Sequence, residues 1–231
     1  MQKHAIVVAG GKGVRMGGSL PKQFLLLSGK PLLMHTLEAF YHSDPAIDLI
    51  LVLPPTHQTY WSNLCKQYEF HLNHRVVSGG ITRYESVKNG LALLRDDGLV
   101  AVHDGVRPFI NASLIERCYS AAAQFGAAVP VTVLTESIRR LDGETSFSVL
   151  RETYRLVQTP QTFRVELLKQ AYHRPYIESF TDDASVVEAA GFKVELVEGS
   201  RENIKITTPL DLLLAEQMIL SNPDLIIKCW I

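Results

Sequence analysis

Ala5-Ile6-Val7-Val8, followed by Ala9-Gly10-Gly11-Lys12-Gly13-Val14-Arg15-Met16-Gly17-Gly18-Ser19-Leu20-Pro21-Lys22, is the stretch that decides the fold. The apolar run reads as a buried parallel strand. Five glycines then crowd the next segment: Gly10, Gly11, Gly13, Gly17 and Gly18. Glycine lets a backbone approach a ligand closely, and such a loop can turn several N–H groups inward as a nest for anions. Arg15 and Lys22 add two positive charges, and Pro21 restricts the presentation of Lys22. A strand, a glycine loop and two cations predict a nucleotide triphosphate site. The common phosphate loops do not fit. Val14-Arg15-Met16 makes the gap after Gly11-x-Gly13 one residue too long for the dinucleotide fingerprint, and Ser19 stands where a P-loop needs lysine.

Working outward, apolar runs and amphipathic stretches alternate. Helices are predicted at Pro31–Phe40, 57–69, from Thr82 to about Leu94, 112–125, 164–173, 182–190 and from Thr208 to about Leu220. Strands are predicted at Asp48–Leu53, Arg75–Val77, Leu99–His103, Ala127–Val133 and Lys193–Val197, with Asn203–Thr207 a short extended piece. Thr82-Arg83-Tyr84-Glu85 is a capping-box pattern, and Gly126 suits a helix C-terminus. The alternation implies a single α/β domain over 1–231, a Rossmann-like, mostly parallel twisted sheet with helices on both faces. Ligands in such sheets lie beyond the carboxyl ends of the strands, here 9–22, 78–86 and 103–107. Between Leu134 and Gln158 the pattern breaks into β-prone pieces around Asp142-Gly143. This reads as an extended β-arm that needs a partner to pack on, a second copy of the chain being the simplest.

Composition narrows the function classes. The chain has 231 residues, 46% hydrophobic, and a net charge of −1 from 23 basic and 24 acidic residues. It has no long basic run for nucleic acid, and no apolar stretch long enough for a bilayer. Met1-Gln2-Lys3-His4 leads straight into a strand and reads as no signal peptide. Cys65, Cys118 and Cys229 lie far apart and read as reduced thiols of a cytoplasmic protein. His71 and His74 lack a third ligand and read as solvated. The apolar tail Leu225–Ile231 is expected to pack on the body or on a partner.

The pattern A-G-G-x-G-x-R-M with P-K-Q-F resembles the nucleotide loop of the sugar-phosphate nucleotidylyltransferases. The P-K-Q-F ending is similar to that of the 2-C-methyl-D-erythritol 4-phosphate cytidylyltransferase family, and further motifs match in the same order. His103-Asp104-Gly105-Val106-Arg107-Pro108 resembles that family's H-D-A-A-R-P, with Gly105 and Val106 replacing two alanines. Thr159-Pro160-Gln161, Thr181-Asp182-Asp183-Ala184-Ser185 and Asn203-Ile204-Lys205 also match. The resemblance implies CMP transfer from CTP to a polyol phosphate, with Mg²⁺ and a homodimer that exchanges its arms. It assigns Arg15 and Lys22 to catalysis at the α-phosphate. It assigns Ala9, Gly10, Gly11, Gly13, Gly79, Gly80, Arg83, Ser86, Asp104 and Gly105 to the nucleotide, with Asp104 also holding the metal. It assigns Arg107, Ser137, Arg151, Thr159, Thr181 and Lys205 to the acceptor. Ser137 stands in place of a threonine, and Ile81 where some members carry aspartate. Taken alone, Asp104 is a turn residue and Arg151 and Lys205 are solvated surface cations. Two alternatives stand beside this expectation: a ribitol 5-phosphate cytidylyltransferase, and a non-catalytic nucleotide-binding protein on the same fold.

Overall fold

The computed structural model describes residues 1–10 and 20–227. Its strands are β1 (Lys3–Val8), β2 (Leu26–Leu27), β3 (Lys30–Pro31), β4 (Asp48–Leu53), β5 (Arg75–Ser78), β6 (Leu99–Asp104), β7 (Ala127–Thr132), β8 (Arg139–Asp142), β9 (Thr145–Ser148), β10 (Leu156–Val157), β11 (Gln161–Arg164) and β12 (Glu195–Glu198). Its helices are α1 (Leu32–Ser43), α2 (Pro55–Gln67), α3 (Arg83–Leu91), α4 (Ala112–Phe125), α5 (Val165–Ala171), α6 (Asp183–Ala189), α7 (Pro209–Ser221) and α8 (Asp224–Ile227).

β1 is the central strand because its middle is wholly apolar: Ala5, Ile6 and Val7 are fully buried. It pairs in parallel with β4 on one side and β6 on the other. The sheet runs β5-β4-β1-β6-β11-β7. β12 lies along the outer side of β7, and β10 continues the line of β11 beside β7. Alternation along β1 sorts the core into two layers. Val7 faces Leu33, Leu37 and Phe40 of α1, with α2 and α4 in the same layer. Ile6 faces Tyr84, Val87 and Leu91 of α3, with α5 and α6 alongside. Each fully buried Leu or Phe in these layers contributes roughly 1.5–3 kcal/mol.

Helix ends follow local chemistry. Thr82 and Glu85 form the expected capping box on α3, and Thr208 with Asp211 forms another on α7. Gly126 closes α4 with φ +94°, a conformation that suits glycine. The arm contains a two-stranded hairpin, β8–β9, turning at Asp142-Gly143.

The sheet carries two strands that the sequence pattern does not announce, and the first, β10, puts the end of the expected arm antiparallel to β7 in the main sheet. Gln161–Arg164 is β11, antiparallel to both β6 and β7, so a fully parallel sheet is interrupted at this position. Only Phe163 in it is apolar, and its strand state comes from the open edges of its two neighbours. Asn203–Thr207 forms no strand, although the Ile206 N–H donates to the Val106 carbonyl at 3.0 Å and lays the segment beside the end of β6.

Candidate active site at the carboxyl ends of β1 and β6

The chain leaves β1 toward α1 and β4 on one side, while β6 lies on the other. The strand order therefore reverses between β1 and β6, and a crevice opens beyond their carboxyl ends. The Ala9 N–H reaches the Val52 carbonyl at 3.0 Å, and the Gly105 N–H reaches that of Val8 at 2.9 Å, carrying both chain ends over the sheet. A cavity of about 220 Å³ sits there. Ala9 and Gly10 line it from β1, Lys22 and Gln23 from the turn after the glycine loop, and Gly80, Ile81, Thr82, Arg83 and Ser86 from the β5–α3 connection. Asp104 and Val106 line it from β6, and Lys205 from the segment after β12. Roomier grooves exist, such as one of about 390 Å³ between α3 and α5, but its Lys169 is already paired with Asp96 and none of the residues at the carboxyl ends of β1 and β6 lines it.

Asp104 is the hub. Its Oδ2 accepts from Lys205 Nζ at 3.0 Å and from Arg107 Nε at 3.2 Å. Burial pushes its carboxyl pKa upward, but the charges of Lys205, Arg83 and Arg107 outweigh that and hold it below the usual carboxylate range. Behind it lies a chain of hydrogen bonds. The Asp104 N–H donates to Thr159 Oγ1 at 3.1 Å, and that hydroxyl lies 3.0 Å from His103 Nδ1. His103 Nε2 lies 3.1 Å from the Arg107 carbonyl. A carbonyl only accepts, so Nε2 carries the proton and the Thr159 hydroxyl donates to Nδ1. His103 is fully buried, and burial lowers its pKa to about 4, so it is neutral at pH 7. Arg107 Nη1 donates to the Asn203 carbonyl at 2.8 Å, and Asn203 Nδ2 donates to the Thr159 carbonyl at 2.8 Å. Residues 103–107, 159 and 203–205 are thus one hydrogen-bonded unit.

The β5–α3 loop is equally self-contained. The Gly80 N–H donates to Ser86 Oγ at 3.1 Å, and that hydroxyl donates to the Thr82 carbonyl at 2.9 Å. The Ile81 and Thr82 N–H groups both donate to Glu85 Oε2, at 2.7 and 3.1 Å. Gly80 must be glycine for this packing, since a Cβ there would sit 2.2 Å from Glu85 Cβ. The Gly79 N–H donates to the Leu53 carbonyl at 2.8 Å. Arg83 opens α3, and its Nη2 donates to Asp183 Oδ2 at 2.6 Å. Burial opposes the Arg83 charge, but Asp183 and Asp104 more than restore it, so the guanidinium pKa is raised.

Of the expected site residues, Ala9, Gly10, Gly80, Arg83, Ser86, Asp104, Lys22 and Lys205 share the cavity wall. Gly79, Gly105, Arg107 and Thr159 lie directly behind it in the bonds just described. Gly11, Gly13 and Arg15 lie outside the described residues, as does the end of the apolar tail beyond residue 227. Three acceptor candidates are not in the wall. Ser137 is exposed at the root of the arm, and Thr181 is exposed just before α6. Arg151 is half-exposed on the arm, with its guanidinium on Glu152 and the Thr135 carbonyl. Residues inside the motifs to which the resemblance assigns no role also matter. Gln23 is buried and donates from Nε2 to the Ala9 carbonyl at 2.8 Å, tying the far end of the glycine loop to its start. Asp183, Gln161 and Asn203 sit inside the quoted motifs, but their roles show only in three dimensions.

A Mg²⁺ ion carrying a nucleotide needs hard oxygen ligands, often one or two carboxylates plus phosphates. Asp104 supplies one: Oδ2 is held by the two cations, and Oδ1 has no partner among the described residues. No cluster of three or more acidic, histidine or cysteine side chains that could cage a metal occurs among the described residues. The donor set fits an ion shared with a phosphate ligand and not a stand-alone site.

Comparison with known proteins points to one family. The family model for 2-C-methyl-D-erythritol 4-phosphate cytidylyltransferase matches residues 3–221. The chain is 56% identical over 219 residues to the 2-C-methyl-D-erythritol 4-phosphate cytidylyltransferase of Phocaeicola vulgatus, covering 95% of this chain and all of the relative. The crystal structure of the Thermus thermophilus enzyme of that name superposes with a TM-score of 0.77 at 37% identity, covering 94% of this chain and 98% of that one. The 4-diphosphocytidyl-2C-methyl-D-erythritol synthase of Anaerococcus prevotii superposes with a TM-score of 0.81 at 27% identity, covering 95% and 98%.

Proposed function

The chain belongs to the 2-C-methyl-D-erythritol 4-phosphate cytidylyltransferase family, and from that premise we propose how its site performs the family's reaction. CMP passes from CTP to 2-C-methyl-D-erythritol 4-phosphate, giving 4-diphosphocytidyl-2-C-methyl-D-erythritol and pyrophosphate. The observation that carries the reading is the convergence of Lys22, Arg83, Asp104 and Lys205 on one cavity beside Gly10 and Gly80. Two polyanions must meet there, so fixed cations are the main catalytic tools. An acceptor phosphate oxygen attacks the α-phosphorus, the bond to the β-phosphate oxygen breaks, and pyrophosphate leaves with that electron pair. No covalent enzyme intermediate is needed.

In this reading Lys22, with Arg15, neutralises the charge that builds on the α-phosphate oxygens. The Gly79–Ser86 loop and Gly10 shape the nucleotide side. Arg107 and Lys205 hold the acceptor phosphate, having been gathered by Asp104 in the free protein. Mg²⁺, when bound at Asp104, would supply further neutralisation of the triphosphate. We also read the chain as a homodimer in which each arm reaches the other subunit's acceptor, bringing Arg151 in trans. The exposed apolar side chains of the arm, Leu141, Phe147 and Leu150, support that reading. A cytoplasmic setting accords with two free thiols, Cys65 and Cys118, that burial raises to about 11 and about 12. Among the described residues no helix is long and apolar enough to cross a membrane.

The test is pyrophosphate release from CTP with each acceptor. Turnover should be fastest with 2-C-methyl-D-erythritol 4-phosphate. Faster turnover with ribitol 5-phosphate would reverse the choice of acceptor. CTP binding without pyrophosphate release from either would leave a binding protein on this fold.

A further inference from the structure

Among the described residues, Arg83 is the one arginine in the cavity wall, and it is held from behind by a group with no access to solvent. Asp183 is fully buried. Its Oδ2 accepts from Arg83 Nη2 at 2.6 Å and its Oδ1 accepts from the Tyr172 hydroxyl at 2.6 Å. Gln161 seats the helix end that carries it: Gln161 Oε1 accepts the Asp183 and Ala184 N–H groups at 3.0 and 2.9 Å, and Gln161 Nε2 donates to Asp182 Oδ2 at 2.7 Å. The Tyr172 ring in turn stacks on Tyr84, the residue after Arg83, at 4.5 Å. Four elements therefore converge to fix one guanidinium: α3, the end of α5, the start of α6 and β11.

A buried carboxylate facing a single partially exposed arginine is costly unless the pair has a purpose, because both charges lose water. Stability alone is poorly served by it. Orientation is well served: a free arginine gives up most of its rotamer freedom when it grips a ligand, and here that loss is taken at folding. Among the described residues, Asp183 is the only hydrogen-bond partner of the Arg83 guanidinium, which leaves Nε and Nη1 for a ligand. Both can donate charge-assisted hydrogen bonds to phosphate oxygens, from opposite edges of the guanidinium.

We propose that Asp183, seated by Tyr172 and Gln161, is a positioning residue that presets Arg83 to receive the phosphates of CTP. This rests on the cytidylyltransferase reading above. Asp183 touches no substrate and acts through Arg83 alone.

CTP binding with Mg²⁺ and without acceptor, measured by calorimetry on the intact protein, tests it. Asp183→Asn should raise the CTP Kd about tenfold, the scale of a lost hydrogen bond to a charged group. Tyr172→Phe keeps the ring stack and should raise it by about threefold, while the acceptor KM stays unchanged in both. Arg83→Ala should weaken CTP by at least as much as Asp183→Asn. The double variant Arg83→Ala/Asp183→Asn should bind CTP as Arg83→Ala does, and should melt higher, since it removes the unpaired buried carboxylate. Losses that multiply in the double variant would give Asp183 a merely structural role and overturn the proposal. A CTP Kd unchanged in Tyr172→Phe would do the same, and that variant decides the matter if Asp183→Asn does not fold. An unaltered CTP Kd in Arg83→Ala, beside normal wild-type turnover, overturns this inference alone. A wild-type chain that neither binds nor turns over CTP overturns the cytidylyltransferase reading with it.

Discussion

Lys22 stands just beyond the glycine loop, on the cavity wall beside Gln23, and Pro21 presents it in an extended conformation with φ −59° and ψ 135°. Lys22→Ala and Arg15→Ala should lower kcat by about 10²–10³, the usual loss for one preorganised donor at a charge-developing oxygen. CTP affinity should fall far less. Steady-state pyrophosphate release with a parallel CTP titration separates the two, and near-normal turnover would remove either residue from catalysis. At Asp104 the charge matters more than the shape. Asp104→Asn should raise the Mg²⁺ concentration needed for half-maximal activity, because a neutral amide holds the dication more weakly than a carboxylate. The same change removes the charge that gathers Lys205 and Arg107, so the acceptor KM should shift as well. An unaltered Mg²⁺ titration would return Asp104 to the role of a turn residue.

The β5–α3 connection acts as a single element, since its amides bond to Ser86 and Glu85 of the helix it opens. Gly80→Ala should break it, as the added methyl collides with Glu85. The expected result is weakened CTP binding with the acceptor KM preserved, and equal CTP affinity would contradict the loop's part in the site. Thr82→Ala, removing the cap, should cost about 1 kcal/mol in urea unfolding. The arm is the other element with its own test. Arg151→Ala and Lys205→Ala chains should each be nearly inactive, while a mixed dimer should recover roughly half of wild-type activity, because one of two isologous sites escapes both lesions. No recovery on mixing would place both residues in the same chain's site.

At the scale of the molecule, stability should fall with acidification in a defined window. His35 and His103 are held by burial at about 4, against an ordinary value near 6.5. The unfolded chain therefore binds protons first. The stabilisation is complete above pH 6.5 and is lost as pH falls toward 4, by up to about 3 kcal/mol per histidine. Asp104 acts in the same sense lower down, losing its contribution as pH falls below the usual carboxylate range. Urea midpoints at pH 7.5, 5.5 and 4.5 should decrease in that order. A flat series would mean that both histidines are protonated at no cost in the fold.

Much of this architecture follows from short stretches of chain. Asp48–Leu53 and the run through Val8 are legible as buried strands because a strand covered on both faces must be apolar throughout. The Thr82–Glu85 and Thr208–Asp211 caps, the glycine ending α4 and the turn of the arm are local chemistry within four or five residues. The cavity's glycines and Asp104 are visible for the same reason, as ends of such strands. Gln161–Arg164 is not legible as a strand, because its pairing comes from β6 and β7 and not from its own residues. Nor is the function of Asp183, whose partner Arg83 lies 100 positions away, or of Asn203, which meets Thr159 from 44 positions off. Sequence by itself determined where strands end and which residue types stand there, since period, cap and turn are properties of neighbours along the chain. Tertiary structure alone decided which of those ends meet and what each buried polar group must bond, since a group removed from water takes whatever partner the packing brings within about 3 Å.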